Sequence, residues 1–265
     1  MLTASADADA LFLGEFHDDP GTHQLQFAIL QGLSRRRTDT LVLAMEMFER
    51  DAQPALDAYL RGEISESSFL ERSRPWPNYA SDYRPLVEFA KAHGWPVVAG
   101  NVPRRIASVV ARGGLGALDS LPPGDRSLVA AAHSCPRDEY WRRFREVMGD
   151  MSSHGMQMTA EQAEAMVWRT YEAQCVKDEA MGEAVAAAIA QHRTLVVHPN
   201  GAFHSDFALG TVERTQRRAP SARLIVVSFI PVPNLATVDP QEHRARGDFI
   251  VFTQAPPRAD SSSAP

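Results

Sequence analysis

The sequence predicts an α/β protein: a mainly parallel sheet flanked by helices, with a helical cap inserted between the third and fourth strands. Three observations lead there. Short apolar runs alternate with longer segments whose apolar residues fall at helical spacing, the signature of strand-helix-strand units with right-handed crossovers. The run TLVLAMEM at 40–47 is apolar almost throughout, as suits a parallel strand covered on both faces. The stretch between the third and fourth strands is too long for one crossover and is rich in helical pattern, so its helices are expected over the carboxyl edge of the sheet.

The elements follow in order. Ala10–Phe16 (ALFLGEF) is the first strand. Gly21–Arg36 follows as a helix, with Leu25, Ile29, Leu30 and Leu33 on one stripe. Thr40–Met47 is the second strand, and helices are expected near Gln53–Arg61, Glu66–Arg72 and Tyr83–His93. Trp95–Val102 (WPVVAGNV) is the third strand, and Pro103 suits the first turn of the helix after it, where its missing N–H costs nothing. Gly113, Gly114 and Gly116 mark a break, and a helix-rich stretch runs from about Asp125 to Gln191. Thr194–Val197 opens the fourth strand, Ala222–Ile230 forms the fifth and Asp248–Phe252 the sixth. The expected organisation is one domain over 1–254, its cap at about 120–192, and a disordered Pro/Ser/Ala-rich tail at 255–265.

Composition excludes several classes. The net charge is −6 and the basic clusters, Arg35–Arg37, Arg104–Arg105 and Arg217–Arg218, are short, so nucleic acid is not expected as a partner. Two of these clusters read as solvated helix termini. No stretch approaches the length of a membrane span. The beginning of the chain has neither a basic region nor a long apolar run, so it reads as cytoplasmic as written, and as periplasmic or membrane-anchored if a leader has been removed. Cys135 and Cys175 form no CxxC pair and are expected to be reduced, partly buried thiols. No nucleophile elbow, P-loop or dinucleotide fingerprint is present.

In an open parallel sheet, ligands bind beyond the carboxyl ends of the strands. Four successive strands deliver polar groups there: Glu15 and His17 after the first, Glu46 in the second, Asn101 and Arg104 after the third, and His204 after the fourth. Two of the segments share the form Gly-x-x-His, GEFH at 14–17 and GAFH at 201–204. Glu46 interrupts an apolar strand, where a buried carboxylate is costly unless paired or bound. Glu15, His17 and Glu46 are the candidate catalytic groups, and His17, His204 and Glu46 a plausible ligand set for a divalent metal ion. Asn101 and Arg104 flank a helix start that favours the carboxylate or phosphate of a ligand. Tyr171, Gln174, Asp178 and Met181 lie on one helix face that either lines the cavity or forms a structural network. The Met-rich segment at 148–158 contains His154, and thioether and imidazole both ligate haem iron.

LGEFHDDPGTHQLQ (13–26), AMEMF (44–48), NVPR (101–104), AQCVKDEAMGEAV (173–185) and NGAFHSDFALGTVERTQRR (200–218) resemble the ChaN-like proteins, within the wider group of Tiki, TraB and erythromycin-esterase-like domains. The resemblance implies a protein that binds haem through Tyr or His and serves iron uptake, in some members as a lipoprotein or a homodimer that sandwiches haem. His154, Arg104, Asn101 and Tyr171 are the residues expected to bind it, while Tyr79, Tyr83 and Tyr140 are further candidates for the iron-binding tyrosine. The wider group implies the alternative, a metal-dependent hydrolase of a peptide, ester or lactone. There His17 and His204 would hold the metal with Glu46 or Glu15, the remaining carboxylate acting as general base. A third reading is metal-free, with Glu46 or Glu15 and His17 activating water.

Overall fold

In the computed structural model, which describes residues 1–37, 39–152 and 159–255 apart from the side chains of 6 and 150–152, six strands form one parallel sheet. They are β1 (Ala10–Glu15), β2 (Val42–Glu49), β3 (Val97–Asn101), β4 (Val196–Gly201), β5 (Leu224–Val232) and β6 (Phe249–Gln254), ordered β3-β2-β4-β1-β5-β6. The register pairs Glu15 with Gly201 and Leu43 with Val197, so the carboxyl ends of β1, β2 and β4 finish side by side. The tail beyond 255 and the segment carrying His154 lie outside the described residues.

Helices cover both faces, which is why the strands read as near-continuous apolar runs. On one face Leu11, Leu13, Leu43 and Met45 pack beneath α1 (Pro20–Arg36), α2 (Gln53–Leu60), α3 (Glu66–Ser73) and α4 (Arg84–Ala92), through Leu30, Leu33, Leu56, Phe69 and Leu86. A π-turn at Tyr79–Tyr83 leads into α4 and buries both tyrosines. On the other face Ala10, Phe12, Val42 and Ala44 meet Val185 and Ala188 of a 33-residue helix and Val212 of the helix after β4. α5 (Arg104–Gly113) follows β3, and a short α6 (Pro123–Arg126) precedes α7 (Glu139–Ser152). The long helix is α8 (Ala160–His192), started by a Thr159/Gln162 capping box, and α9 (Thr211–Arg218) follows β4.

The insertion between β3 and β4 therefore has two parts. The carboxyl half of α8 flanks the sheet, while its amino half carries α7 through Tyr140, Trp141, Phe144, Val167 and Tyr171. One expectation is corrected here. Cys135 and Cys175 are joined in a disulfide that ties the segment leading into α7 to the middle of α8. Arg217 and Arg218 do more than end a helix: with Arg214 they surround the fully buried Glu179, whose carboxylate needs that charge to be tolerated inside.

Candidate functional site

Side chains alternate between faces along a strand, and this divides the site into two halves. Glu15 follows Leu11 and Leu13 onto the α1 face. There its carboxylate is fully buried and accepts from Tyr83 Oη (2.6 Å), Gln26 Nε2 (2.6 Å) and His17 Nδ1 (2.9 Å). The π-turn aims Tyr83 at this carboxylate, and Asn78 donates to the His17 carbonyl. His17 itself is half-exposed, with 44% of its side chain accessible, and Trp76 stands edge-on to its ring at 4.7 Å. Burial pulls its pKa down, but the bond to Glu15 and the charges of Glu46 and Glu15 carry it above the ordinary value.

Glu46 follows Ala44 onto the α8 face and accepts from the Gly201 N–H at 2.7 Å. Its other oxygen lies 3.4 Å from His204 Nε2, and His204 Nδ1 donates to Asp178 at 2.7 Å. Asp178 also accepts from Thr211 Oγ1 and Tyr140 Oη, both at 2.8 Å, so this buried carboxylate is saturated with donors. Burial opposes charging His204, yet Glu46 and Asp178 outweigh it and raise its pKa to about 10. Burial likewise opposes the Glu46 carboxylate, but His204 and His17 hold it well below the carboxylate range. The inner half is thus an imidazolium held between two carboxylates.

The halves meet at Gly201. A Cβ there would stand 2.9 Å from His17 Nε2, so a larger residue would push that ring aside, while His204 Cδ2 at 3.6 Å would be in ordinary contact. Above them opens a cavity of about 860 Å³ whose walls are mainly apolar and aromatic: Phe16, Trp76, Phe144, Val147, Phe203 and Phe207. Arg104, Arg143, Lys177 and Arg246 add cations to the lining, with Gln174 and Asn101 among the neutral groups.

The four residues expected at the strand ends are therefore brought together, with Asn101 and Arg104 in the same lining. The metal reading of them finds no support in the geometry. Both His204 ring nitrogens are engaged by carboxylates, and no group of three or more His, Cys, Asp or Glu among the described residues is arranged to hold a metal ion. At the start of α5, Glu49 Oε1 accepts from the Arg104 N–H at 3.2 Å, so that donor is already engaged. Tyr171 is fully buried in the α7–α8 aromatic cluster, donates to the Pro136 carbonyl and does not line the cavity. Tyr79 and Tyr83 are buried outside the lining too, and Tyr140, which does line it, is held neutral by burial and spends its hydroxyl on Asp178. Asp178 and Tyr83 carry roles that their spacing alone did not reveal. The acidic residue on the cavity-facing stripe of a long helix was the available signal for Asp178; for Tyr83 there was none.

A family model described as "Haem-binding uptake, Tiki superfamily, ChaN" matches residues 1–215. Among solved structures, the ChaN of Campylobacter jejuni, described for cofacial heme binding, superposes with a TM-score of 0.66 at 16% identity, over 94% of this chain and 89% of that one. An erythromycin esterase, an EreC mutant in its open conformation, gives 0.47 at 11% identity over 89% and 76% of the two chains. A succinoglycan biosynthesis protein gives 0.44 at 10% identity over 87% and 68%. No curated protein matches the sequence. The match over most of the chain settles the family: this protein belongs to the haem-binding uptake family ChaN of the Tiki superfamily.

Proposed function

We propose that the cavity at the carboxyl edge of the sheet binds haem, with His17 as the side chain that meets the iron. The observation that carries this reading is the state of His17. Its Nδ1 is committed to a buried carboxylate, and its half-exposed ring stands in an aromatic-walled cavity of about 860 Å³. A carboxylate on one ring nitrogen fixes the tautomer and raises the basicity of the other, the arrangement that favours iron ligation. The size lies within the range of small-molecule sites. Bound haem would supply an iron centre to be carried, as the family description of haem uptake implies. Phe16, Trp76, Phe144 and Phe207 would cover a flat apolar ring system. The acidic inner half, Glu46 and Asp178 around one imidazolium, favours a cationic centre over an anionic one.

Titration with haem, followed by absorbance, tests this. The expected result is a saturable Soret band at a fixed haem-to-protein ratio; a weak, unsaturating absorbance would end the proposal.

A second reading, hydrolysis without a metal, is favoured by the same Glu15–His17 pair, since a carboxylate-oriented imidazole is also a general base. The buried His204 imidazolium would then stabilise developing negative charge. Turnover of an aryl ester that resists chelators and is lost in His17→Ala would support it. Absence of turnover over a panel of esters and lactones would count against it. The disulfide supports an oxidising compartment for this protein rather than the cytoplasm.

A further inference from the structure

Charged groups along the cavity are nearly all spoken for. Arg143 pairs with Glu139, Arg246 with Asp206, and Arg104 approaches Glu49. Lys177 differs. It is half-buried, it lines the cavity, and no carboxylate among the described residues pairs with it. Its position on α8 is fixed on both sides: Val176 packs with Val102 just beyond β3, and Asp178 holds His204. One turn on, Met181 lies against Gly100. Lys177 is thereby set between the end of β3 and the inner half of the site.

A second group at the end of β3 is also without a partner. Asn101 is only 8% exposed, lines the same cavity, and its buried Oδ1 has no hydrogen-bond partner. Oδ1 is an acceptor, as is a carboxylate, so what the amide offers a ligand carboxylate is its pair of N–H donors.

We propose that Lys177 and Asn101 form a carboxylate subsite that receives an acidic side arm of the ligand, a propionate if that ligand is haem. This rests on the haem reading above. The ammonium supplies charge, the amide N–H supplies a directed hydrogen bond, and both groups line the cavity that His17 also lines. Nothing in an apolar cavity alone would distinguish a porphyrin with free carboxylates from one with masked carboxylates; this pair does.

Haem and its dimethyl ester, titrated into the wild type and Lys177→Met, give the test. The wild type is expected to bind haem about tenfold more tightly than the ester, a preference that weakens with salt. Lys177→Met should lower haem affinity to the level of the ester and leave the ester unchanged, while Lys177→Arg retains most of the preference. Equal wild-type affinities for the two probes would overturn the subsite and leave the haem reading standing. An equal loss for both probes in Lys177→Met would do the same, marking Lys177 as structural. Failure of haem itself to saturate the wild type would overturn both proposals together.

Discussion

The two Gly-x-x-His segments are alike in sequence and opposite in structure. In GEFH the chain leaves β1 toward α1, and His17 stays half in solvent with one ring nitrogen tied to Glu15. In GAFH the chain turns at once into a 3-10 turn at Ala202–His204, which folds the second imidazole back beneath the rim until 6% of its side chain is accessible. Glu15 and Glu46 sit on opposite faces of the sheet, so each histidine meets its carboxylate from a different side. One motif therefore yields a group that can meet a ligand and a group that is already saturated. The difference comes from where the chain goes next and not from the motif.

The comparison breaks most severely on the buried side. Asp178→Ala should cost about 3–5 kcal/mol, because it strands a buried imidazolium, a tyrosine hydroxyl and a threonine hydroxyl at once. His17→Ala should change stability by less than about 1 kcal/mol. Denaturant unfolding of the two variants checks both, and similar losses would erase the distinction. Next in size is the disulfide, which closes a loop of 40 residues; Cys135→Ser with Cys175→Ser should lower stability by about 3 kcal/mol, measured against the oxidised wild type.

The pH dependence is subtler. His204 has a raised pKa, so its contribution is full below the ordinary value of 6.5 and is lost as pH rises through about 10. Glu46 has a lowered pKa, so its contribution is full above the ordinary 4.5 and is lost only on strong acidification. Stability should hold a plateau between about pH 5 and 6.5 and decline progressively from there to about pH 10. His204→Gln should remove the part of that alkaline decline that belongs to this coupled pair, which thermal melts across pH would reveal. Tyr83→Phe should cost about 1 kcal/mol, through the hydrogen bond lost by Glu15.

Much of this was legible in the residues. Apolar runs located the starts of all six strands to within about two residues, because strands buried on both faces leave no alternation to misread. Glu15, His17, Glu46 and His204 stood out as polar groups at the ends of such runs, and they do converge. What the pattern did not carry was pairing. Arg217 and Arg218 look like a solvated helix end until Glu179, nearly forty residues earlier, is seen between them. Cys135 and Cys175 lie 40 residues apart, and only the packing of the segment before α7 on α8 brings them together. The metal reading finds no support for the same reason: spacing collects ligand types, but whether a ring nitrogen is free depends on partners such as Asp178 that belong to another element. Lys177 went unremarked because its significance is the absence of a partner, which is visible only once the other charges have found theirs.

The most direct test of the central claim is the ligand field of iron in the ferric haem complex, read by electron paramagnetic resonance and resonance Raman, in the wild type, His17→Ala and His204→Gln. The account predicts an imidazole-ligated spectrum in the wild type, its loss in His17→Ala and its persistence in His204→Gln. A wild-type spectrum that His17→Ala leaves unchanged would contradict it.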